Sequence, residues 1–227
     1  MTSFSTCYMC DSPETSREHA PALCFFPETH DVGRDLRRNL VTVPSCDIHN
    51  SKKSKDDEFF RSVVLMAAAP TSATGHQLFS TKMLRGAART PHSHGLFFRD
   101  KGPIAQESGR VLQIDRNRFD ICVDHLAKAL FYDSYKRKWR LPTTVVSPNF
   151  FSGIASDQVV SHKPTLDAVE VSWKALGSEP IRGENPEVFK YRLRYDAEEE
   201  IYAFAGIFYE CFEVYSFSSK ELAHSAV

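Results

Sequence analysis

The hydrophobic pattern divides the chain into an irregular start and a patterned remainder. Residues 1–53 show no sustained period; Cys, Pro, Asp and Asn punctuate them, and only Leu40-Val41-Thr42-Val43 forms a β-branched run that predicts a strand. From Ser54 the pattern changes. Phe59, Phe60, Val63, Val64 and Ala67 fall on one helical face, with Ser54 and Asp57 set as a capping box and Pro70 as the stop. A loop-rich stretch follows over 71–110, with a short helix near Leu78–Ala88. Val111–Ile114 predicts a strand. Asp115 caps a helix whose apolar stripe is Phe119, Cys122, Val123, Leu126, Ala129 and Leu130. Thr143–Val146 predicts a strand and Thr165–Leu176 a helix. The aromatic, alternating runs Phe189–Tyr195 and Tyr202–Phe217 predict paired strands across the polar turn Asp196–Glu200.

Composition adds bounds rather than detail. With 227 residues, 42% hydrophobic and 25% charged, the chain suits an ordinary globular protein of one or two domains. The net charge of -1 gives no global attraction for a polyanion, so a nucleic-acid partner must be argued from local charge. The middle of the chain is basic, notably Lys136-Arg137-Lys138-Trp139-Arg140, and residues 178–213 are acidic, which fits a polyanion-facing surface and a back face. No run of about 18 uncharged apolar residues occurs, so no transmembrane helix and no membrane partner is expected. Met1–Thr6 lacks the basic and apolar regions of a signal peptide, which points to a cytoplasmic protein. Six cysteines in such a compartment suggest ligands or buried thiols rather than disulfides. Cys24 fits a buried small side chain.

Cys7-x-x-Cys10 and Cys46-x-x-His49 have the spacing of two ligand pairs for tetrahedral zinc. Four protein ligands close such a site, so the zinc is structural, and it would fold a segment this poor in apolar residues. Between the pairs lie Arg17-Glu18-His19-Ala20-Pro21 and Arg38-Asn39-Leu40-Val41; after them comes Asn50-Ser51-Lys52-Lys53-Ser54-Lys55.

This order over residues 7–60 resembles the HNH endonucleases, and in particular a bacterial stand-alone subgroup whose zinc segment precedes a longer helix and a small α+β region. The resemblance implies an α+β fold: a zinc-stapled ββα-metal module, treble-clef-like, with its helix over 1–69, then an accessory α+β region over 70–227 for substrate selection, oligomerisation (a homo-oligomer or a partner protein) or regulation. It implies His19 as general base, Glu18 and Asn50 as ligands of a catalytic Mg²⁺ or Mn²⁺, and Asn39 as the residue that holds the hairpin and the histidine in place. Glu18 stands where Asp is more frequent, and His49 where a fourth Cys is. Arg17, Lys52, Lys53 and Lys55 lie beside this set and would grip phosphates, as would Arg34, Arg37 and Arg38. The implied activity is metal-dependent hydrolysis of nucleic acid, DNA over RNA, suited to defence against foreign DNA. The competing reading is a non-catalytic zinc module that binds nucleic acid or protein.

His92 and His94, His125, the Asp115, Asp120 and Asp124 series, and the C-terminal aromatics are more simply loop, surface and core residues than further sites.

Overall fold

The computed structural model describes residues 5–89, 114–150, 170 and 176–220. Two antiparallel sheets and two groups of helices make an α+β architecture. Strands β1 (Ser16–His19) and β2 (Thr42–Ser45) form a two-stranded hairpin, with Ser16 opposite Ser45 and His19 opposite Thr42. The expected strand at Leu40–Val43 therefore starts two residues later. Asn39 precedes it in a left-handed conformation (φ 50°), which Asn tolerates better than most side chains. The long connection between the strands holds a 3₁₀ turn, Leu23–Phe25, and a single helical turn α1 (Thr29–Val32).

Helix α2 (Ser54–Ala68) follows the hairpin through two 3₁₀ turns, Asp47–His49 and Ser51–Lys53. It buries Phe59, Phe60, Val63, Val64, Leu65 and Ala68, whereas Ala67 is exposed; the apolar face ends on the neighbouring alanine. The capping box at Ser54 is not formed. Lys53 occupies the cap position without a side-chain bond, and the Asp57 carboxylate receives the Lys53 ammonium at 2.7 Å instead. Beyond Pro70 the chain is helical through α3 (Ala73–Leu78), a π-turn (Phe79–Met83) and α4 (Leu84–Arg89), a longer helical stretch than expected.

Helix α5 (Arg116–Tyr135) is capped as the sequence indicates: Asp115 Oδ1 accepts from the Arg118 amide at 3.0 Å. Its whole expected stripe is buried, with Ala127 and Phe131 added. The second sheet is four-stranded and antiparallel, in the order β3 (Thr144–Val146), β6 (Phe212–Ser218), β5 (Ile201–Phe208), β4 (Phe189–Asp196). The expected single strand Tyr202–Phe217 is two strands, because Tyr209 and Glu210 turn the chain through positive φ. The Asp196–Glu200 turn is as expected, with Asp196 Oδ1 accepting the amides of Glu198 and Glu199. The expected strand Val111–Ile114, the helix Thr165–Leu176 and the Pro91–His94 segment lie largely or wholly outside the described residues.

Helix α5 packs on β2, α2, β3 and β6, so it joins the hairpin unit to the sheet. Phe25 and Phe60 meet Phe208 of β5 at ring separations of 4.8 and 5.4 Å, and the Tyr209 hydroxyl donates to the Phe25 carbonyl at 2.7 Å. Tyr191, Tyr202, Phe204, Phe208 and Phe212 thus form one continuous core with the hairpin unit, while Tyr215 and Phe217 belong to a separate small cluster. No helix among the described residues is long and apolar enough to cross a membrane.

Candidate metal centre and active site

Cys7, Cys10, Cys46 and His49 converge, with all four donor atoms within 4.8 Å of one another. The Sγ atoms of Cys10 and Cys46 are 3.8 Å apart. His49 Nδ1 lies 3.4, 3.6 and 3.3 Å from Cys7, Cys10 and Cys46 Sγ. A tetrahedron with Zn–S near 2.3 Å and Zn–N near 2.0 Å has S···S edges of about 3.8 Å and S···N edges of about 3.5 Å. The donors therefore fit a metal ion such as zinc. The Met9 amide donates to Cys7 Sγ, as a thiolate acceptor invites. Hydrogen bonding from Ser12 to the Cys10 sulfur pulls its pKa below the ordinary thiol value.

Residues far along the chain brace this knuckle. Lys138 Nζ donates to the Cys10 carbonyl at 2.6 Å, to Thr6 Oγ1 and to Asp11, and Arg140 pairs with Asp11. Arg137 lies over the Tyr195 ring and Lys136 pairs with Asp133. The basic run 136–140, expected on a polyanion-facing surface, is committed to internal partners. The loop arginines are committed likewise: Arg34 to Glu187, Arg37 to the Phe26 carbonyl and Glu28, Arg38 to Asp35.

His19 is the last residue of β1 and is half-buried. Burial, with the Arg37 charge adding to it, holds its pKa below the ordinary histidine value. The imidazole is then neutral at pH 7, the form a general base requires. It borders a small cavity of about 20 Å³, shared with Tyr8, Glu18, Lys53, Asp57 and His125.

Strand alternation places Glu18 on the opposite face of the hairpin from Arg17 and His19. Glu18 is 5% exposed and its carboxylate contacts Lys53 Nζ at 2.5 Å. Lys53 is 9% exposed and also holds Asp57. Burial raises the pKa of Glu18 and of Asp57 against the pull of the lysine. Burial would lower that of Lys53, but the two carboxylates more than offset it and keep the ammonium charged. Lys53 is thereby removed from the surface set expected to grip phosphates.

Asn50 Nδ2 donates to Ser16 Oγ at 2.8 Å and to the Arg17 carbonyl at 3.2 Å. That ties the second ligand pair to β1, and among the described residues Oδ1 makes no hydrogen bond. Asn39 is exposed and makes no side-chain hydrogen bond among the described residues, so nothing in its contacts holds the hairpin. Arg17 bonds Thr42 across the hairpin and pairs with Glu14. Lys52 and Lys55 are exposed and make no ion pair among the described residues. The residue sequence reasoning missed is Asp57. Its i,i+4 spacing from Lys53 was the available signal, but the capping reading claimed it first.

No family model, no curated protein and no solved structure matches the chain.

Proposed function

We propose that the chain is a nucleic acid endonuclease of the HNH kind, with His19 as general base, DNA as the favoured substrate and a role in defence against foreign DNA. The observation that carries this reading is His19 itself. It stands opposite Thr42 at the end of the hairpin where the long connection leaves β1, half-buried and held neutral, and the other end of the hairpin runs into a zinc-type cluster. In hydrolysis the imidazole takes the proton of the attacking water as its oxygen bonds phosphorus; the opposite P–O bond breaks, and the leaving oxygen takes up a proton from solvent. Lys52 and Lys55, exposed at the entrance of α2, hold flanking phosphates, and Arg17 adds charge on the His19 side.

A catalytic Mg²⁺ or Mn²⁺ on Glu18 and Asn50 belongs to the same reading, but the residues as folded do not fit it. Glu18 is buried and already neutralised by an ammonium group, and Asn50 offers one amide oxygen. Hard cations are held by open oxygen clusters. That arrangement favours one alternative, a zinc module that binds nucleic acid or protein without cutting it.

The deciding experiment incubates the full chain with supercoiled plasmid, single-stranded DNA and RNA across a metal panel. Wild type is expected to cut. His19→Ala is expected to lose on the order of 10²–10⁴-fold in rate with its zinc content unchanged. The acid limb of the rate should fall below the ordinary histidine pKa. Undiminished cutting by His19→Ala removes His19 as the base, and a wild type that cuts none of the three leaves the binding module.

A further inference from the structure

A second and larger cavity opens on the other side of the Ala20–Pro21 segment, between the hairpin connection and the outer strand β4. Its volume is about 420 Å³, within the range of small-molecule sites. Ala20 and Pro21 line both this cleft and the His19 cavity, so one stretch of backbone separates them.

The cleft has an apolar inner side and a polar rim. Phe26, Phe189 and Tyr191 line its inner side, all three buried, and the rings of the last two lie parallel to each other at 5.6 Å and 17°. Asn39, Arg182 and Glu184 stand at the rim. The two walls are distant in sequence but pinned together, since Asn185 Nδ2 donates to the Arg38 carbonyl at 3.2 Å. Arg182 is held by Ser134 at 3.0 Å and by its backbone bridge to Tyr191. Asn39 and Glu184 are exposed and make no side-chain bond or ion pair among the described residues.

A cleft of small-molecule size lined by aromatic rings on its inner side and by exposed donors and acceptors at its mouth matches a planar heteroaromatic ring with a hydrogen-bonding edge. A phosphate fits less well: the Glu184 carboxylate at the rim repels an anion. A base in this cleft cannot remain in a duplex stack, because its face and its edge are both inside. The geometry points to a nucleobase pocket: the cleft takes one unpaired base of the strand whose neighbouring phosphodiester lies at His19. This rests on the endonuclease reading and narrows its substrate to single-stranded or locally opened nucleic acid.

The test is an abasic scan. A fluorescein-labelled DNA hexanucleotide, with one abasic deoxyribose moved through its positions, is titrated onto full-length His19→Ala protein and read by anisotropy. One position is expected to show about tenfold weaker binding when its base is removed, since stacking one base contributes roughly 1–3 kcal/mol. Ile181→Trp fills the cleft from a residue that is 58% exposed, so folding is spared; it should flatten the scan while leaving far-UV dichroism and zinc content unchanged. Glu184→Ala should change which base is preferred at that position.

A flat scan, a scan unaltered by Ile181→Trp, or no binding of any hexanucleotide overturns the pocket. Cutting by wild type separates the two ideas. A flat scan with an active wild type removes the pocket and leaves the nuclease; a positive scan with an inactive wild type leaves the pocket and removes the nuclease.

Discussion

The hairpin unit and the C-terminal sheet are ordered by different forces. Over residues 5–53 the regular structure is two four-residue strands and a few short turns, and the organising feature is four donor atoms converging on one point. In the sheet, β4, β5 and β6 run seven or eight residues each and bury Tyr202, Phe204, Phe208 and Phe212 almost completely. Area removed from water sustains the sheet, whereas the hairpin unit, with far fewer buried apolar residues of its own, gathers four donors that could hold a metal. The first region should therefore answer to chelators and acid, and the second to lost volume. Their shared seam at Phe25, Phe60 and Phe208 is where the distinction can be tested.

Removing the metal should have the largest effect. Structural zinc contributes on the order of 10–16 kcal/mol in small modules. A strong chelator, or Cys46→Ser, is expected to abolish amide-exchange protection over residues 5–53 while strands β4–β6 stay protected. Equal protection of residues 5–53 with and without chelator would break the comparison.

Phe208→Ala comes next. It empties the seam from the sheet side and is expected to cost about 3–5 kcal/mol, read as a lower urea midpoint. The loss should appear in both regions with zinc retained. A loss confined to the sheet would mean that the seam does not couple them.

How much of this was legible beforehand follows from the range of each interaction. The ligand pairs were readable because the spacing Cys-x-x-Cys and Cys-x-x-His is local. Helix α5 was readable because its cap and its stripe sit on one element. The split at Tyr209 was not, since the residues that take positive φ there, Tyr and Glu, are not turn formers. At the candidate site, the sequence names His19 but not the strand it ends, and it does not carry the fate of Glu18. Which carboxylate meets which cation depends on how β1 lies against α2. That is a tertiary fact, and it turned a supposed metal ligand into the partner of Lys53. The run 136–140 looks like surface charge in the sequence for the same reason: its partners at Asp11 and Cys10 lie more than a hundred residues away.

Lys53→Met probes the hairpin by charge rather than by metal. It leaves the buried Glu18 and the half-buried Asp57 without their cation. Breaking a buried pair costs roughly 3–5 kcal/mol, less where the stranded group can take up a proton, so about 2–3 kcal/mol is expected here. The sign with pH follows from the raised pKa of both carboxylates. The folded state holds protons that the unfolded state has released, so the variant loses stability as pH rises above the ordinary carboxylate range. Urea midpoints should separate more from wild type at pH 8 than at pH 5. A gap independent of pH would show that the two carboxylates are not stranded together.

The smallest effect belongs to the element that both regions share. Asp115 caps α5 through one hydrogen bond to the Arg118 amide. Losing an N-cap costs about 1 kcal/mol, and Asp115→Ala should cost that much. Because α5 packs on the hairpin side and on the sheet side, the loss should be distributed rather than local. Exchange protection should fall by a similar factor in β2 and in β6, and chelation should not alter the increment. Asp115→Asn keeps an acceptor at the cap and should restore most of the stability, which separates the hydrogen bond from the charge–dipole attraction. If Asn restores nothing, the carboxylate acts through the helix dipole. If protection falls in the sheet alone, α5 belongs to the sheet, and its contacts with β2 do not couple the two regions.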